Sequence, residues 1–305
     1  MKGALIMPEN EYKLCNLCAR ECGVDRNTTV GFCRMGSDIY LSYYSLHKWE
    51  EPPISGEKGS GTIFFAGCSL GCTFCQNKDI SRGRNGKPVT EKELSDIMLE
   101  LQRAGAHNIN FVTPTHYSPS VKKAILISRE RGLRLPTVYN TGSYDSLSAL
   151  QNLDGAIDIY LPDLKFYMSD TAKKYALAPD YPGVAKRAIA EMIRQVGEPA
   201  FDEKGIMKKG VIARILLLPG HVAEAKLILK YLYDTYGDKI YISLMNQYTP
   251  MQGMPAPLNR KVTREEYRQL VDYALRLGVT NAFVQEFGTA SESFIPPFKD
   301  GISGI

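Results

Sequence analysis

Apolar residues recur along this chain in short continuous runs separated by stretches of helical spacing. Thr62-Ile63-Phe64-Phe65-Ala66 is the first such run and reads as a buried strand. Thr90-Glu91-Lys92-Glu93 has the form of a capping box, and Leu94, Ile97, Met98 and Leu101 follow on one helical face. The rhythm continues with strands over 110–113, 136–139, 157–161, 211–218, 241–244 and 282–284. Between them the spacing predicts helices over 119–131, 146–150, 184–195 and 223–233. A second box, Thr263-Arg264-Glu265-Glu266, opens a helix whose apolar face includes Tyr267, Leu270, Val271 and Ala274.

Near-continuous apolar strands alternating with helices imply an α/β fold, a parallel sheet with helices outside it. Six or seven such units fit a partial or complete (β/α) barrel, with a doubly wound sheet as the alternative topology. In either, ligand sites belong to the loops at the C-terminal ends of the strands. Residues 1–50 differ: they are rich in cysteine and turns and weakly periodic. The chain therefore divides into a small Cys-rich N-terminal segment, 1–50, and an α/β domain, 51–305.

Composition adds exclusions. A chain of 305 residues with 44% hydrophobic and 23% charged residues can bury its core without disulfides. The net charge of +4 is spread along the sequence, which argues against nucleic acid or a membrane surface as partner. The apolar run within Met1 to Glu9 is too short for a signal peptide, so a soluble, cytoplasmic protein is expected.

Cysteine placement points to metal. Cys15, Cys18, Cys22 and Cys33 form one group, Cys68, Cys72 and Cys75 another, and no cysteine follows. Seven cysteines in two tight clusters do not suit a disulfide framework. The second group lies directly after the first predicted strand, in Gly67-Cys68-Ser69-Leu70-Gly71-Cys72-Thr73-Phe74-Cys75. One short loop of this spacing can wrap a [4Fe–4S] cubane, which usually takes four thiolates. With three supplied, one iron stays open for a substrate or cofactor; a structural zinc site would need a fourth ligand nearby. The first group supplies four thiolates, enough for a closed zinc site or an auxiliary [4Fe–4S] cluster; partial or no metal loading is the third reading.

The three-cysteine loop, its place after the first strand and the following Gln76-Asn77 resemble the signature of the radical S-adenosylmethionine (SAM) superfamily. More narrowly, the chain resembles the pyruvate formate-lyase activating enzyme-like branch and, within it, the PflX-type iron–sulfur proteins. Ile54-Ser55-Gly56 to Cys75, Gly105 to Asn110, Val112 to His116, Tyr139 to Gly142, Ile159 to Lys165 and Gln247-Tyr248 carry that pattern. The resemblance implies an oxidoreductase in which the open iron chelates SAM and one electron breaks its S–C5′ bond. The 5′-deoxyadenosyl radical then takes a hydrogen atom from a protein, peptide or small-molecule substrate; an electron carrier or redox sensor is the non-catalytic alternative. It also implies a donor such as flavodoxin or ferredoxin.

Site residues follow from the same resemblance. Where the family often carries Gly-Gly-Glu, this chain has Pro114-Thr115-His116, leaving Thr113 or Thr115 to meet the methionine amino group. His116 reads either as a polar contact and proton carrier or as a buried structural histidine. Asn140-Thr141-Gly142 stands, in reversed order, where related enzymes place Thr-Asn-Gly near the cofactor, with an Asn–Gly-type turn as the alternative, and Asp163 and Lys165 match an Asp-x-Lys element. Asp163 and Lys165 are two apart at a strand end and so share a face, either lining the cavity or forming a surface ion pair. Arg214 lies inside an apolar run, so it must reach a carboxylate, either of the cofactor or of a structural Asp or Glu. Glu286 invites the same two readings. The short remainder after residue 288 predicts an open cavity mouth, suited to a bulky partner segment.

Overall fold

The computed structural model describes residues 11–83 and 85–286. The expectations for the first nine residues and for the chain after residue 288 concern residues outside that range. The strands among the described residues are β1 (Ile39–His47), β2 (Ser60–Phe65), β3 (Lys87–Val89), β4 (Ile109–Val112) and β5 (Thr137–Thr141). They continue with β6 (Ile159–Pro162), β7 (Ala200–Phe201), β8 (Met207–Leu216), β9 (Tyr241–Met245) and β10 (Ala282–Val284).

Their order across the sheet is β10-β9-β8-β6-β5-β4-β2-β1-β3, with β7 pairing β8 off this path. From β2 to β10 every pairing on the path is parallel and the order never reverses. A doubly wound sheet would turn back on itself at a switch point. This is instead a partial (β/α) barrel, open between β10 and β3.

Strand alternation separates two cores. Phe111, Tyr139 and Tyr160 pack outward into the helix-covered layer. Their neighbours Val138, Ile159, Leu161 and Ile212 point inward and close one end of the barrel with Ile54 and Met207. Next along the inward faces come Phe64, Val112, Asn140, Asp163 and Arg214, which line a cavity. β2, β4, β5 and β6 are buried at every position, which is why they read as unbroken apolar runs.

Both capping boxes form. Thr90 opens the helix Glu91–Arg103 and Thr263 opens Arg264–Leu277, each accepting a hydrogen bond from the backbone N–H of the glutamate three residues on. Three elements differ from the sequence expectation. β1 lies in the segment that reads as turn-rich, because a bulge between Leu41 and Tyr43 interrupts its alternation. β8 begins earlier than its apolar run, since Lys208 and Lys209 are exposed beside the short β7. The helix Ser169–Ala176 is brief and ends at Leu177 in the left-handed conformation, leaving no sustained periodicity to read.

Candidate active site

Cys68, Cys72 and Cys75 sit on the loop after β2, at the C-terminal end of the parallel strands. The same cavity, about 240 Å³, is lined by Thr113 and Thr115 after β4, Asn140 and Thr141 at the end of β5, and Asp163 and Lys165 after β6. Arg214 on β8 and Met245 and Gln247 at the end of β9 complete that wall. The loop turns on Gly67, whose φ of +85° favours glycine and whose added Cβ would lie 2.9 Å from the Cys33 carbonyl oxygen. Leu70 N–H donates to Cys68 Sγ at 3.4 Å, and Gln76 Nε2 ties the loop's end to the Gln247 carbonyl at 2.8 Å.

Burial, then the neighbouring Cys72 and Cys75, pushes the Cys68 thiol up to about 12, and burial pushes Cys72 up to about 11. Protonated thiols in such a place are poor ligands, and a bound metal centre is what ionises them. Among the described residues, no three His, Cys, Asp or Glu side chains converge as they would on a single metal ion. A cubane holds each ligand on a different iron and so spaces them more widely than one zinc ion does. The donor set, three thiols on one loop, fits a cluster with one iron left open; the absence of a converged group extends to Cys15, Cys18, Cys22 and Cys33.

Beneath the loop lies a buried charge network. Arg214 Nε donates to Asp163 Oδ1 at 2.7 Å, its NH1 to Glu50 at 3.3 Å and its NH2 to Asn140 Oδ1 at 2.5 Å. Lys165 Nζ pairs with the other oxygen of Asp163. Glu50 also accepts from Asn110 at 3.1 Å and Asn140 at 3.3 Å. Burial alone would raise Asp163, but Arg214 and Lys165 outweigh it and hold the carboxyl below its ordinary value. Burial raises Glu50 and Glu51 despite the attraction of Arg214.

Glu50 has no counterpart among the residues picked out from sequence. It follows β1, which runs antiparallel to β2 with His47 opposite Ser60, so it enters the barrel interior from the end opposite the cysteine loop. Trp49 and His47 line the cavity beside it. An acidic pair before Pro52-Pro53 looks like a solvated turn in sequence, and only the sheet pairing shows otherwise.

The remaining candidates divide. Thr113 adopts φ of +58°, a costly conformation for a β-branched residue, in the cavity wall. Thr141 donates to Asp145 at 2.6 Å, within a buried set that also holds the Thr115 hydroxyl and the Tyr139 phenol. His116 is not part of the cavity lining. Its Nε2 lies 2.7 Å from the Ala66 carbonyl oxygen, so that nitrogen carries the hydrogen, and burial with nearby Arg26 lowers its pKa to about 3. The Glu286 backbone carbonyl accepts from Asn246 Nδ2 at 3.4 Å.

The four N-terminal cysteines form a knot packed against the outside of this loop. Cys18 has the other three thiols as electrostatic neighbours. Cys22 and Cys33 flank Gly31, their sulfurs 3.5 and 3.7 Å from the position its Cβ would take. Arg20 donates to the Ser69 and Ala176 carbonyls at 3.0 Å, fastening the knot to the three-cysteine loop.

A sequence profile of the radical SAM superfamily matches residues 62–232. An uncharacterized protein of Methanocaldococcus jannaschii is 29% identical over 278 residues, covering 87% of this chain and 75% of that protein. Streptococcus suis SuiB bound to precursor peptide SuiA superposes with a TM-score of 0.51 at 14% identity, over 73% of this chain and 47% of SuiB. SuiB bound to S-adenosylmethionine gives 0.51 and 14%, over 74% of this chain and 52% of SuiB. The chain thus spans about half the length of SuiB, and the likeness is one of fold. No helix among the described residues is long and apolar enough to cross a membrane.

Proposed function

This chain belongs to the radical SAM superfamily, and on that premise we propose that it cleaves SAM reductively at a [4Fe–4S] cluster held by Cys68, Cys72 and Cys75. The family implies an enzyme, a cluster and SAM. When bound, the cluster and SAM together supply a 5′-deoxyadenosyl radical able to remove a hydrogen atom. The chain's own residues bind, orient and shield. Arg214 and Lys165 offer cationic donors to the methionine carboxylate, and Asp163 holds both in place through one carboxyl group. Thr113, Thr115, Asn140 and Thr141 supply polar contacts along the adjoining strand ends.

The observation that carries this reading is the meeting of three thiols and a pre-paired Asp–Lys–Arg set in one cavity at the C-terminal ends of the strands. Anaerobic reconstitution with iron and sulfide, reduction by dithionite and addition of SAM should yield methionine and 5′-deoxyadenosine. Intact SAM from a loaded, reduced protein would instead mark an electron carrier or redox sensor.

The finer reading is a cytoplasmic PflX-type, activating enzyme-like oxidoreductase that passes the radical to a protein or peptide and is reduced by flavodoxin or ferredoxin. Its support is the motif pattern and a fold shared with a protein that binds a precursor peptide. Residues 51–305 form the catalytic domain in this reading. Residues 1–50 hold a second metal centre on Cys15, Cys18, Cys22 and Cys33, either zinc or an auxiliary cluster.

A further inference from the structure

The N-terminal knot contains the least exposed cation among the described residues. Arg26 is 1% exposed. Its Nε donates to the Met35 carbonyl at 3.0 Å, its NH2 to the Gly36 carbonyl at 2.5 Å and its NH1 to the His116 carbonyl at 2.5 Å. The guanidinium lies 4.9 Å from the Tyr12 ring centre and 5.6 Å from that of Tyr117. Carbonyls and aromatic faces are dipoles and quadrupoles, and neither cancels a full charge. Among the described residues the ionisable groups facing it are Cys33, Cys15, Tyr12, Tyr117 and His116, with Cys15 Sγ 3.8 Å from its NH1. No described carboxylate pairs with it.

A buried guanidinium without a counter-ion is among the costliest arrangements a protein can hold. The cost disappears if the cysteines beside it are metal-bound thiolates. Four thiolates around either a zinc dication or an oxidised [4Fe–4S] core leave a net dianion, and Arg26 NH1 stands 3.8 Å from one of its sulfurs, that of Cys15. We infer that Arg26 is the built-in counter-charge of a dianionic tetrathiolate centre on Cys15, Cys18, Cys22 and Cys33. This rests on the second metal centre proposed above and says what stabilises it.

The same residue ties that centre to the catalytic loop. Arg26 bonds the His116 carbonyl, and the His116 ring donates to the carbonyl of Ala66, two residues before Cys68. Arg26 is thus a positioning residue, outside the cavity, through which loading of the knot sets the seat of the Gly67 turn.

The test uses the full chain with Cys68, Cys72 and Cys75 changed to serine, so that any metal belongs to the knot. Zinc, iron and acid-labile sulfide are measured in this background and in Arg26→Gln and Arg26→Lys versions of it. Loss of metal to a chelator is then timed, with circular dichroism as the check on folding. The expected result is metal loss about tenfold faster in R26Q, the scale of losing a supporting residue around a metal. In R26K, which keeps the charge but not the forked donors, most of the retention should return. Iron with sulfide identifies a cluster, and zinc alone a single ion.

A background protein that binds neither metal sinks the centre itself. Metal bound equally firmly with glutamine at position 26, or equally weakly with glutamine and lysine, leaves the centre standing and overturns the role of Arg26. Failure of R26Q to fold even without metal would make the residue a strut for three carbonyls and overturn it as well.

Discussion

Arg214 shows how much of this site depends on single charges. Its guanidinium joins Asp163, Glu50 and Asn140 in a place where each carboxylate is poorly solvated. Removing the cation would leave Asp163 and Glu50 facing each other with Lys165 alone to balance them. Arg214→Met should therefore cost about 3–5 kcal/mol in urea unfolding and abolish SAM cleavage. Arg214→Lys should recover stability more than activity, because a point charge replaces a planar fork. A methionine variant as stable as wild type would disprove the network's role. The sequence singles out Arg214, Asp163 and Lys165 as charges, while leaving open whether each meets a cofactor or another side chain; here Arg214 and Lys165 both pair with Asp163. It hides Glu50, because nothing local distinguishes a glutamate that folds into a barrel from one that points into solvent. Arg26 is hidden for the same reason: its burial comes from packing between distant segments.

Elements place these residues, and their own signals are easier to read. Both capping boxes follow from four-residue motifs, because the bonds that make them are local. Glu266 does more than close its helix: it also accepts from Gly220 N–H at 2.7 Å and binds both terminal nitrogens of Arg260. The Arg260 guanidinium, with the Gly220 and Thr263 amides, brings its carboxyl down to about 2. An acid depressed in the folded state stabilises the fold above its unfolded pKa, roughly 4.3, and loses that contribution as pH falls towards the folded value. Glu266→Gln should thus lower the melting temperature at pH 7, with the difference from wild type shrinking between about pH 4 and 2. A gap independent of pH would show that the side chain acts by shape alone. The turn at Gly67 is the opposite case, an element set by tertiary contact. An added methyl there meets Met35 and, at 2.9 Å, the Cys33 carbonyl, in a backbone region hostile to side chains. Gly67→Ala should cost about 2 kcal/mol or more and lower iron content on reconstitution, measured by thermal melting and iron assay.

At the scale of the whole molecule, the open edge of the barrel is connected to the three-cysteine loop by a chain of amides. Gln76 on that loop donates to the Gln247 carbonyl, Gln285 Nε2 donates to Gln247 Oε1 at 2.9 Å, and Asn246 N–H donates to Gln285 Oε1 at 2.9 Å. Gln285 follows β10, a three-residue edge strand with only partial burial, whereas β5 and β6 are buried throughout. Local stability should follow that gradient, with backbone amides of β10 and β3 exchanging with solvent fastest and those of β5 and β6 near the global limit. Because Gln247 lines the cavity and holds Gln285, a ligand that orders the cysteine loop should also slow exchange in β10. Gln247→Ala should speed exchange in β10, leave β5 and β6 unchanged, and remove most of the protection that cluster and SAM confer on β10. Hydrogen exchange read by mass spectrometry, on loaded and unloaded protein, separates the possibilities. If β10 exchanges as slowly as β6, or ignores both the ligand and the substitution, the amide chain does not couple this edge to the site.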